Sequence, residues 1–423
     1  MSQFNDLERK LAIALDNFPA IRSVIKFTYQ YINYLSNIHK NNVRVVHHEA
    51  VIIGKKVSEK VSFFGYYDKS PWSKSGKYIL FHQLSSSHKE LEIVVRNIKK
   101  ETNNIVGITE TWNWQQGAML QWLNSEHIIF NCIVDNNLGS KVIDINGKLI
   151  KKFDFPVQSI SPNGDYYVSL NYLRLAKLRP DYGYKVDVKN FSGDMPFIED
   201  GLWNINTENG ENLLIVSISK LISFQTEESM NEAQHKVNHA SVSPNGRRIL
   251  FMHRWINSNG KFSRLFSISP NGSELKLLLS DRMISHYSWH DDSHFVAWAR
   301  TKEDGDHYYY ISDISNKIEI IGEGVLDVFG DGHPSFSPDG RWIITDTYPG
   351  RDRKQSLHLY DNLEKKFYEV SRLFLPWKYR GYNRCDLHPR WSHDGLSLSI
   401  DSIHEGKRSM YTIDISKLIS KKL

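Results

Sequence analysis

One short motif recurs along this chain of 423 residues and limits the folds that the chain can adopt. The motif is a Ser-Pro-Asn/Asp-Gly turn, preceded by a short apolar stretch and followed by an apolar run. Its clearest copies are SISPNG at 159–164, SVSPNG at 241–246 and SFSPDG at 335–340. Looser copies lie at 71–76, 121–126, 288–293 and 390–395. The chain therefore carries seven copies of one repeat.

Each copy predicts a β-hairpin, because Pro-Asn/Asp-Gly favours a tight turn between two strands. The third residue of each copy is its anchor, and the anchors are Ser73, Leu123, Ser161, Ser243, His290, Ser337 and Ser392. Successive anchors lie 38 to 82 residues apart, mostly near 50, a spacing typical of propeller blades. A single blade cannot bury both of its faces, so the blades must pack around a central axis. The sequence predicts an all-β, seven-bladed β-propeller over residues 44–423, and the longest step predicts an outer hairpin at 202–217.

Residues 1–43 differ from the rest and predict a helical extension. Apolar residues recur at helical spacing on both sides of Pro19, which indicates two short amphipathic helices. Three interpretations are open: a cap packed on the ring, attachment to a membrane surface, or pairing with a partner protein's helix. The strand-like segment 43–53 is expected to complete the last blade and close the ring.

Composition narrows the function classes. The net charge is +5, and the basic residues are interspersed with acidic ones, so nucleic acid is not the expected partner. The sequence has neither a secretory signal at its start nor an apolar stretch of membrane-spanning length. We therefore expect a cytoplasmic protein. Two cysteines, Cys132 and Cys385, imply no disulfide framework.

Histidines occur at one position of the repeat, four residues before the anchor. The residues there are Lys69, Met119, Val157, His239, His286, His333 and His388. Equivalent residues of adjacent blades face a common channel, which predicts an arc of four histidines at its mouth. The second strands should bring further polar residues to the same face: His82, Asn131, Asn171, His253, Arg300, Asp346 and Asp401. Alternatively, each histidine packs locally and bonds a neighbouring carbonyl group.

Two kinds of chemistry fit such a face. The first is a metal site formed by His286, His333 and His388 with Cys385, where zinc suits imidazole and thiolate, and added oxygen ligands would favour manganese. The second is acid/base chemistry on an acidic sugar. Residues 169–184 alternate basic and tyrosine side chains, which suit a carboxylate and an apolar sugar face respectively. The alternative for residues 169–184 is a packed connecting loop.

Several strings of the sequence resemble the propeller polysaccharide lyases, namely the ulvan lyases and, more distantly, the oligogalacturonate lyases. These strings are FFGYYDKSPWS at 63–73, WQQGAMLQWL at 114–123, SLNYLRLAKLRPDYGY at 169–184, GDGHPSFSPDGRWIITDTYP at 330–349 and RCDLHPRWSHDG at 384–395. The resemblance covers about residues 60–416. It implies a propeller that cleaves uronate-containing glycans by β-elimination, in which an arginine neutralises the carboxylate and histidine or tyrosine moves the proton.

The resemblance also implies roles for single residues. Arg174 is expected to neutralise the acid group, and His82 and His239 are expected to act in catalysis. Tyr172, Tyr66 or Tyr67 is expected to substitute for a missing tyrosine. The expected substrate-binding residues are Arg179, Tyr182, His253 and Arg254, and the expected metal ligands are His286, His333, Cys385 and His388.

The chain departs from the family pattern at two positions. Gln158 stands where the family has a catalytic tyrosine, and Val61 or Ser62 stands where a second histidine is expected, unless His47 or His48 supplies it. The alternative function is a propeller without lyase activity. It would bind an anionic glycan, a nucleotide sugar or a protein partner in the biosynthesis of cell-surface polysaccharide.

Overall fold

The computed structural model describes residues 19–37, 45–46, 51–53, 56–281 and 283–420. Within them, a helix, α1 (Pro19–Asn37), is followed by two short strands, β1 (Val45–Val46) and β2 (Val51–Ile53). The first predicted helix, before Pro19, lies outside the described residues, as do His47 and His48 and the boundary predicted near residue 43.

The rest of the chain forms seven antiparallel sheets, which are the blades of the predicted seven-bladed β-propeller. The strands of blade 1 are β3 (Ser62–Phe63), β4 (Tyr78–Leu84), β5 (Leu91–Asn97) and β6 (Thr102–Thr109). Those of blade 2 are β7 (Gln121–Trp122), β8 (His127–Val134), β9 (Asn137–Asp144) and β10 (Leu149–Phe153). Those of blade 3 are β11 (Ser159–Ile160), β12 (Tyr166–Leu170), β13 (Gly201–Asn206) and β14 (Asn212–Ser217). The last two strands are the outer hairpin predicted at 202–217.

In blades 4 to 7 the strands also follow one another across the sheet in chain order, with the first strand of each blade nearest the channel. The strands of blade 4 are β15 (Gln234–Val242), β16 (Ile249–Asn257), β17 (Gly260–Ile268) and β18 (Lys276–Leu279). Those of blade 5 are β19 (Ile284–Trp289), β20 (His294–Thr301), β21 (Gly305–Ser312) and β22 (Ile318–Ile320). Those of blade 6 are β23 (Ser335–Phe336), β24 (Trp342–Asp346), β25 (Lys354–Asp361) and β26 (Lys366–Phe374). Those of blade 7 are β27 (Arg390–Trp391), β28 (Ser397–Ser402) and β29 (Ser409–Asp414).

Short helices connect some of these strands. They are α2 (Tyr172–Leu178), α3 (Ile218–Ser223) and α4 (Ser416–Ser420), with 3-10 turns at Glu228–Met230, Asp327–Phe329 and Gly381–Asn383.

The N-terminal strands close the ring in two places. β2 pairs with β29 as the outermost strand of blade 7, as expected for segment 43–53. β1, however, pairs with β26 and makes blade 6 five-stranded. The two strands of this segment therefore belong to two different blades.

The repeated motif works through its glycine. In the copies that end at Gly164, Gly246, Gly340 and Gly395, the glycine has φ between +72° and +74°, a conformation that disfavours residues with a Cβ. Its amide donates to the carbonyl of the anchor serine, as from Gly246 to Ser243 at 2.9 Å. This closed turn sets the register between the first two strands of the blade.

Candidate functional site

The four histidines that precede the repeat anchors by four residues come together at the channel. Ring centroids are 5.8 Å apart for His239 and His286, 4.2 Å for His286 and His333, and 4.3 Å for His333 and His388. All four side chains are buried. The predicted arc is therefore confirmed as a continuous row of imidazoles.

Local backbone geometry turns these histidines inward. His239 and His388 have φ of +57° and +45°, a left-handed conformation that interrupts a strand. The β15–β16 pairing shifts register between Asn238 and Ser241, which flank His239. A comparable shift occurs around His286 in the β19–β20 pairing. Each irregularity aims a side chain out of the sheet and into the channel.

Two tyrosines from blade 1 fill the channel beside the arc. The Tyr66 hydroxyl lies 2.6 Å from Nδ1 of His239. The Tyr67 hydroxyl donates to the carbonyl of Tyr287 at 2.7 Å and accepts from its amide at 2.9 Å. Gly65 allows this approach, because a Cβ there would lie 2.7 Å from the carbonyl oxygen of Gln116. The sequence offered Tyr66 and Tyr67 as alternatives to Tyr172 for the missing tyrosine, but it did not predict that they lie in the channel beside the arc.

Three side chains at the arc could together hold a metal ion. Ligand atoms of His333, Asp386 and His388 all lie within 4.8 Å of one another. Nε2 of both histidines and Oδ1 of Asp386 are buried and have no hydrogen-bond partner among the described residues. Unpaired buried acceptors are rare and costly. Three of them converging on one point fit a divalent cation.

The other atoms of these three side chains are held in place. Nδ1 of His333 lies 2.7 Å from Oδ1 of Asp346, and Nδ1 of His388 lies 2.7 Å from the carbonyl oxygen of Gly65. Both contacts place the ring proton on Nδ1 and leave the Nε2 lone pair for a ligand. Nε of Arg384 donates to Oδ2 of Asp386 at 2.8 Å. The group is thus preorganised by a second layer of hydrogen bonds.

This donor group differs from the predicted ligand set, which contained His286 and Cys385. The Cys385 thiol packs with Leu375 and Ile403, and burial raises its pKa to about 12. Nδ1 of His286 instead lies 3.0 Å from Oδ1 of Asp331. Asp386 was missed, although its spacing to His388 in RCDLHP is a signal that could have found it. An oxygen donor in place of a thiolate shifts the preference from zinc toward manganese.

The protonation of the arc follows from burial and from one carboxylate. Burial lowers the pKa of His239, His286 and His388 well below the ordinary value, so these rings are neutral. Burial also disfavours the charged form of His333, but the Asp346 carboxylate outweighs burial and raises its pKa.

A cavity of about 830 Å³ opens beside the arc, between α2, blade 4 and blade 5. Its lining includes five basic residues: Arg179, Lys236, Arg254, Lys261 and Arg300. Its acidic lining residues are Asp181 and Asp331. The cavity meets the arc at Asp331, whose carboxylate contacts His286 and accepts from the Ser285 hydroxyl at 2.6 Å. Burial raises the pKa of Asp331 to about 6.

Lys236 and Arg254, which do not project freely into solvent as the exposed Lys261 does, lack a carboxylate partner among the described residues. Nζ of Lys236 has only a long contact, 3.4 Å to the carbonyl oxygen of Leu178, although the residue is 3% exposed. Nη2 of Arg254 donates to the carbonyl of Ile284 at 2.7 Å, and its buried Nε has no hydrogen-bond partner in the part of the chain that the structure describes. Burial, together with the nearby Arg254 charge, lowers the pKa of Lys236 to about 7. Buried cations without a directly paired counter-ion are costly, and an anion bound in the cavity would offset that cost.

The structure keeps several predicted site residues away from the cavity lining. His82 is fully buried, with Nδ1 2.9 Å from the Phe64 carbonyl oxygen and Nε2 accepting from the Ala118 amide at 3.1 Å. Arg174 pairs with Asp200 and donates to the carbonyl of Met195. Both side chains are engaged within the protein.

Two of the remaining predicted site residues are also engaged within the protein, and three lie at or beside the cavity. The Tyr172 hydroxyl donates to Oε1 of Gln158 at 2.6 Å, and Nε2 of His253 lies 2.9 Å from Nδ1 of His235. Tyr182, by contrast, joins the arc and the cavity, because its ring lies 5.5 Å from that of His239 and 4.5 Å from the Arg179 guanidinium. Arg179 and Arg254 line the cavity as substrate-binding residues were expected to do.

No protein-family model and no curated protein match this sequence. Solved structures do resemble it. An oligogalacturonate lyase from Vibrio parahaemolyticus aligns with a TM-score of 0.60 and 11% identity over 88% of this chain and 96% of its own. An oligogalacturonate lyase in complex with manganese aligns with a TM-score of 0.60 and 11% identity over 88% and 97%. The tricorn protease aligns with a TM-score of 0.52 and 11% identity, over 86% of this chain and 35% of its own. These likenesses establish the propeller fold. Among the described residues, no helix is long and apolar enough to cross a membrane.

Proposed function

We propose that this protein binds a uronate-containing oligosaccharide in the cavity beside the histidine arc and cleaves it by β-elimination with the help of a divalent cation. One observation carries the proposal. Lys236 and Arg254 are buried cavity cations without carboxylate partners among the described residues, and the cavity adjoins three unpaired metal-ligand atoms through Asp331 and His286. An acidic sugar supplies the missing anion.

Arg254 and Lys236 have separate roles in the proposed elimination. The guanidinium of Arg254 pairs with the uronate carboxylate, which stabilises the negative charge that develops when the proton on C5 leaves. Lys236 takes that proton, because a pKa of about 7 leaves a large fraction of its amine uncharged near neutral pH. The electron pair left on C5 forms the C4–C5 double bond as the C4–O bond breaks, and the ammonium group of Lys236 returns the proton to the leaving oxygen. Tyr182 is 1% exposed and supports Arg179 from behind the cavity wall through a cation–π contact. His82 and Arg174 support the surrounding structure in this scheme.

His333, Asp386 and His388 would hold the cation. When bound there, a divalent cation would supply positive charge that stabilises the negative charge developing on the substrate. Two nitrogen ligands and one oxygen ligand are compatible with manganese, and the oligogalacturonate lyase that contains manganese supports this choice.

The enclosure of His82 favours a second candidate function. Both of its ring nitrogens are bonded to backbone groups, and Gly117 packs so closely on the ring that a Cβ there would clash with it. A propeller that binds an anionic glycan or nucleotide sugar without cleaving it, within cytoplasmic steps of surface-polysaccharide synthesis, needs no reactive histidine at this position.

One experiment separates the two functions. Uronate oligosaccharides are incubated with the protein and Mn²⁺, cleavage is followed by the ultraviolet absorbance of the unsaturated product, and binding is measured by calorimetry. The variants are Arg254→Gln and Lys236→Met, with the surface variant Lys302→Gln as a control. We expect product from the wild type, loss of binding in Arg254→Gln, and binding without product in Lys236→Met. Binding without product by the wild type supports the second function, and the absence of both overturns the proposal.

A further inference from the structure

The helix α1 turns an aliphatic face away from the ring. Val24, Ile25, Ile32 and Leu35 are 65%, 48%, 57% and 47% exposed. With 100° of rotation per residue, these four residues share one side of the helix. We call them the outer face of α1. A helix that packs on a globular domain ordinarily buries its aliphatic side, whereas α1 exposes it.

The ring holds α1 through its other sides. The rings of Phe27, Tyr31 and Tyr34 surround the Trp377 ring with centroid distances of 5.7, 5.5 and 5.6 Å. Tyr29, Gln30 and Asn33 lie against the segment 349–353 across a narrow gap of about 60 Å³. The helix is therefore held by aromatic and cation–π contacts, and its outer face is left to another partner.

Basic side chains flank the outer face. The ring segments beside α1, 349–353 and 376–382, contain four basic residues and one acidic residue. Of these, Arg351, Lys378 and Arg380 are exposed. The guanidinium of Arg380 lies 4.6 Å from the Phe27 ring centroid and 4.7 Å from that of Trp377, which places charge next to the aromatic contact. The partner of this surface should be apolar and negatively charged.

We propose that α1 docks this propeller onto an anionic lipid surface. The outer face would enter the boundary between headgroups and acyl chains, while Arg351, Lys378 and Arg380 contact anionic headgroups. Trp377 and the α1 tyrosines would lie at the interfacial level that aromatic side chains favour. A second copy of the chain fits less well, because a two-fold contact through α1 would bring two such basic clusters together.

Vesicle co-sedimentation of the full chain tests this inference. We expect binding to vesicles of phosphatidylglycerol and phosphatidylcholine, little binding to phosphatidylcholine alone, and weaker binding at high salt. The variant Ile32→Gln/Leu35→Gln should lose binding, whereas Ile314→Gln, which changes an aliphatic residue that is 74% exposed elsewhere on the ring, should not. Arg380→Gln and Lys378→Gln should each weaken binding by about fivefold, and Lys302→Gln should have no effect.

The results that contradict lipid docking differ in what they imply about the outer face of α1. No binding to anionic vesicles, or equal binding by Ile32→Gln/Leu35→Gln, overturns the inference. If the same variant instead breaks a dimer, the outer face belongs to a second copy. If it only lowers the melting temperature, residues that precede α1 in the same chain cover the face.

Discussion

Asp346 holds His333 by a buried hydrogen bond of 2.7 Å between Oδ1 and Nδ1. The same carboxylate accepts from the backbone amides of His333 and His388 at 2.9 and 3.0 Å. Asp346 ends β24, the second strand of blade 6, so one strand end fixes two residues of the candidate metal-binding group. Its position confirms that a second strand brings a polar residue back to the histidine face.

Replacing Asp346 by asparagine should weaken metal binding. Without the carboxylate, the proton of His333 is no longer held on Nδ1, and the Nε2 lone pair is not kept free for the metal. We expect the affinity for Mn²⁺ to fall about 10- to 100-fold, measured by titration calorimetry. Asp304→Asn, on an exposed turn, is the control and should bind as the wild type does. Unchanged affinity in Asp346→Asn would remove Asp346 from the site.

The two candidate ligand sets can be told apart by metal content. Cys385→Ser should retain bound metal, because the thiol packs among apolar side chains and the donor group contains Asp386 in its place. His388→Gln and Asp386→Asn should lose most of it. Elemental analysis of purified proteins gives the answer. Loss of metal in Cys385→Ser would restore the set predicted from the sequence.

Lys236 should make stability depend on pH. Its pKa is about 7 in the folded protein, against 10.5 as the ordinary value, so between these pH values the unfolded chain binds a proton that the folded protein does not. The free energy of unfolding should therefore rise with pH in this range, by at most about 5 kcal/mol. Below pH 7 the full cost of burying the charge applies.

Lys236→Met removes this titration and isolates its contribution. The free energy of unfolding of both proteins is measured by urea denaturation from pH 7 to about pH 10. The free energy of unfolding of the variant minus that of the wild type should be largest at pH 7 and should fall toward pH 10, because only the wild type gains stability as the pH rises. A constant difference would mean that the Lys236 amine keeps its ordinary pKa.

His82→Ala should destabilise the ring. Removing the imidazole leaves the Phe64 carbonyl and the Ala118 amide without their buried partner, and burial already lowers the pKa of His82 to about 3, which makes it a neutral structural group. We expect the free energy of unfolding to fall by about 2–4 kcal/mol, measured by urea denaturation, with His127→Ala as a surface control. Normal stability with lost cleavage would support the catalytic role that the resemblance implied.

Local sequence patterns were sufficient for much of the ring. The Ser-Pro-Asn/Asp-Gly turn requires a glycine of positive φ, and apolar runs on both sides of it form the paired strands, so each hairpin is encoded within about twenty residues. The shared offset of His239, His286, His333 and His388 predicted their convergence, because equivalent positions of neighbouring blades face one channel.

The roles of single residues could be predicted less well from the sequence. Asp386 and Cys385 are adjacent, and only the backbone conformation between them decides which side chain meets His333 and His388. Likewise, Arg174 and Arg179 occupy the same basic segment, yet α2 directs Arg174 to Asp200 while Arg179 lines the cavity. Spacing in the sequence does not distinguish these cases.

The sequence by itself determined the number of blades, the turn of each hairpin and the row of histidines, since all of these depend on contacts between near neighbours and on a repeat. Tertiary structure alone decided which donor atoms lack partners and which cations line the cavity. Lys236 and Asp331 are 95 residues apart in the chain, and they line one cavity only because ring closure sets neighbouring blades side by side. Pairing, burial and pKa depend on such distances, and those distances are fixed by the packing of whole blades.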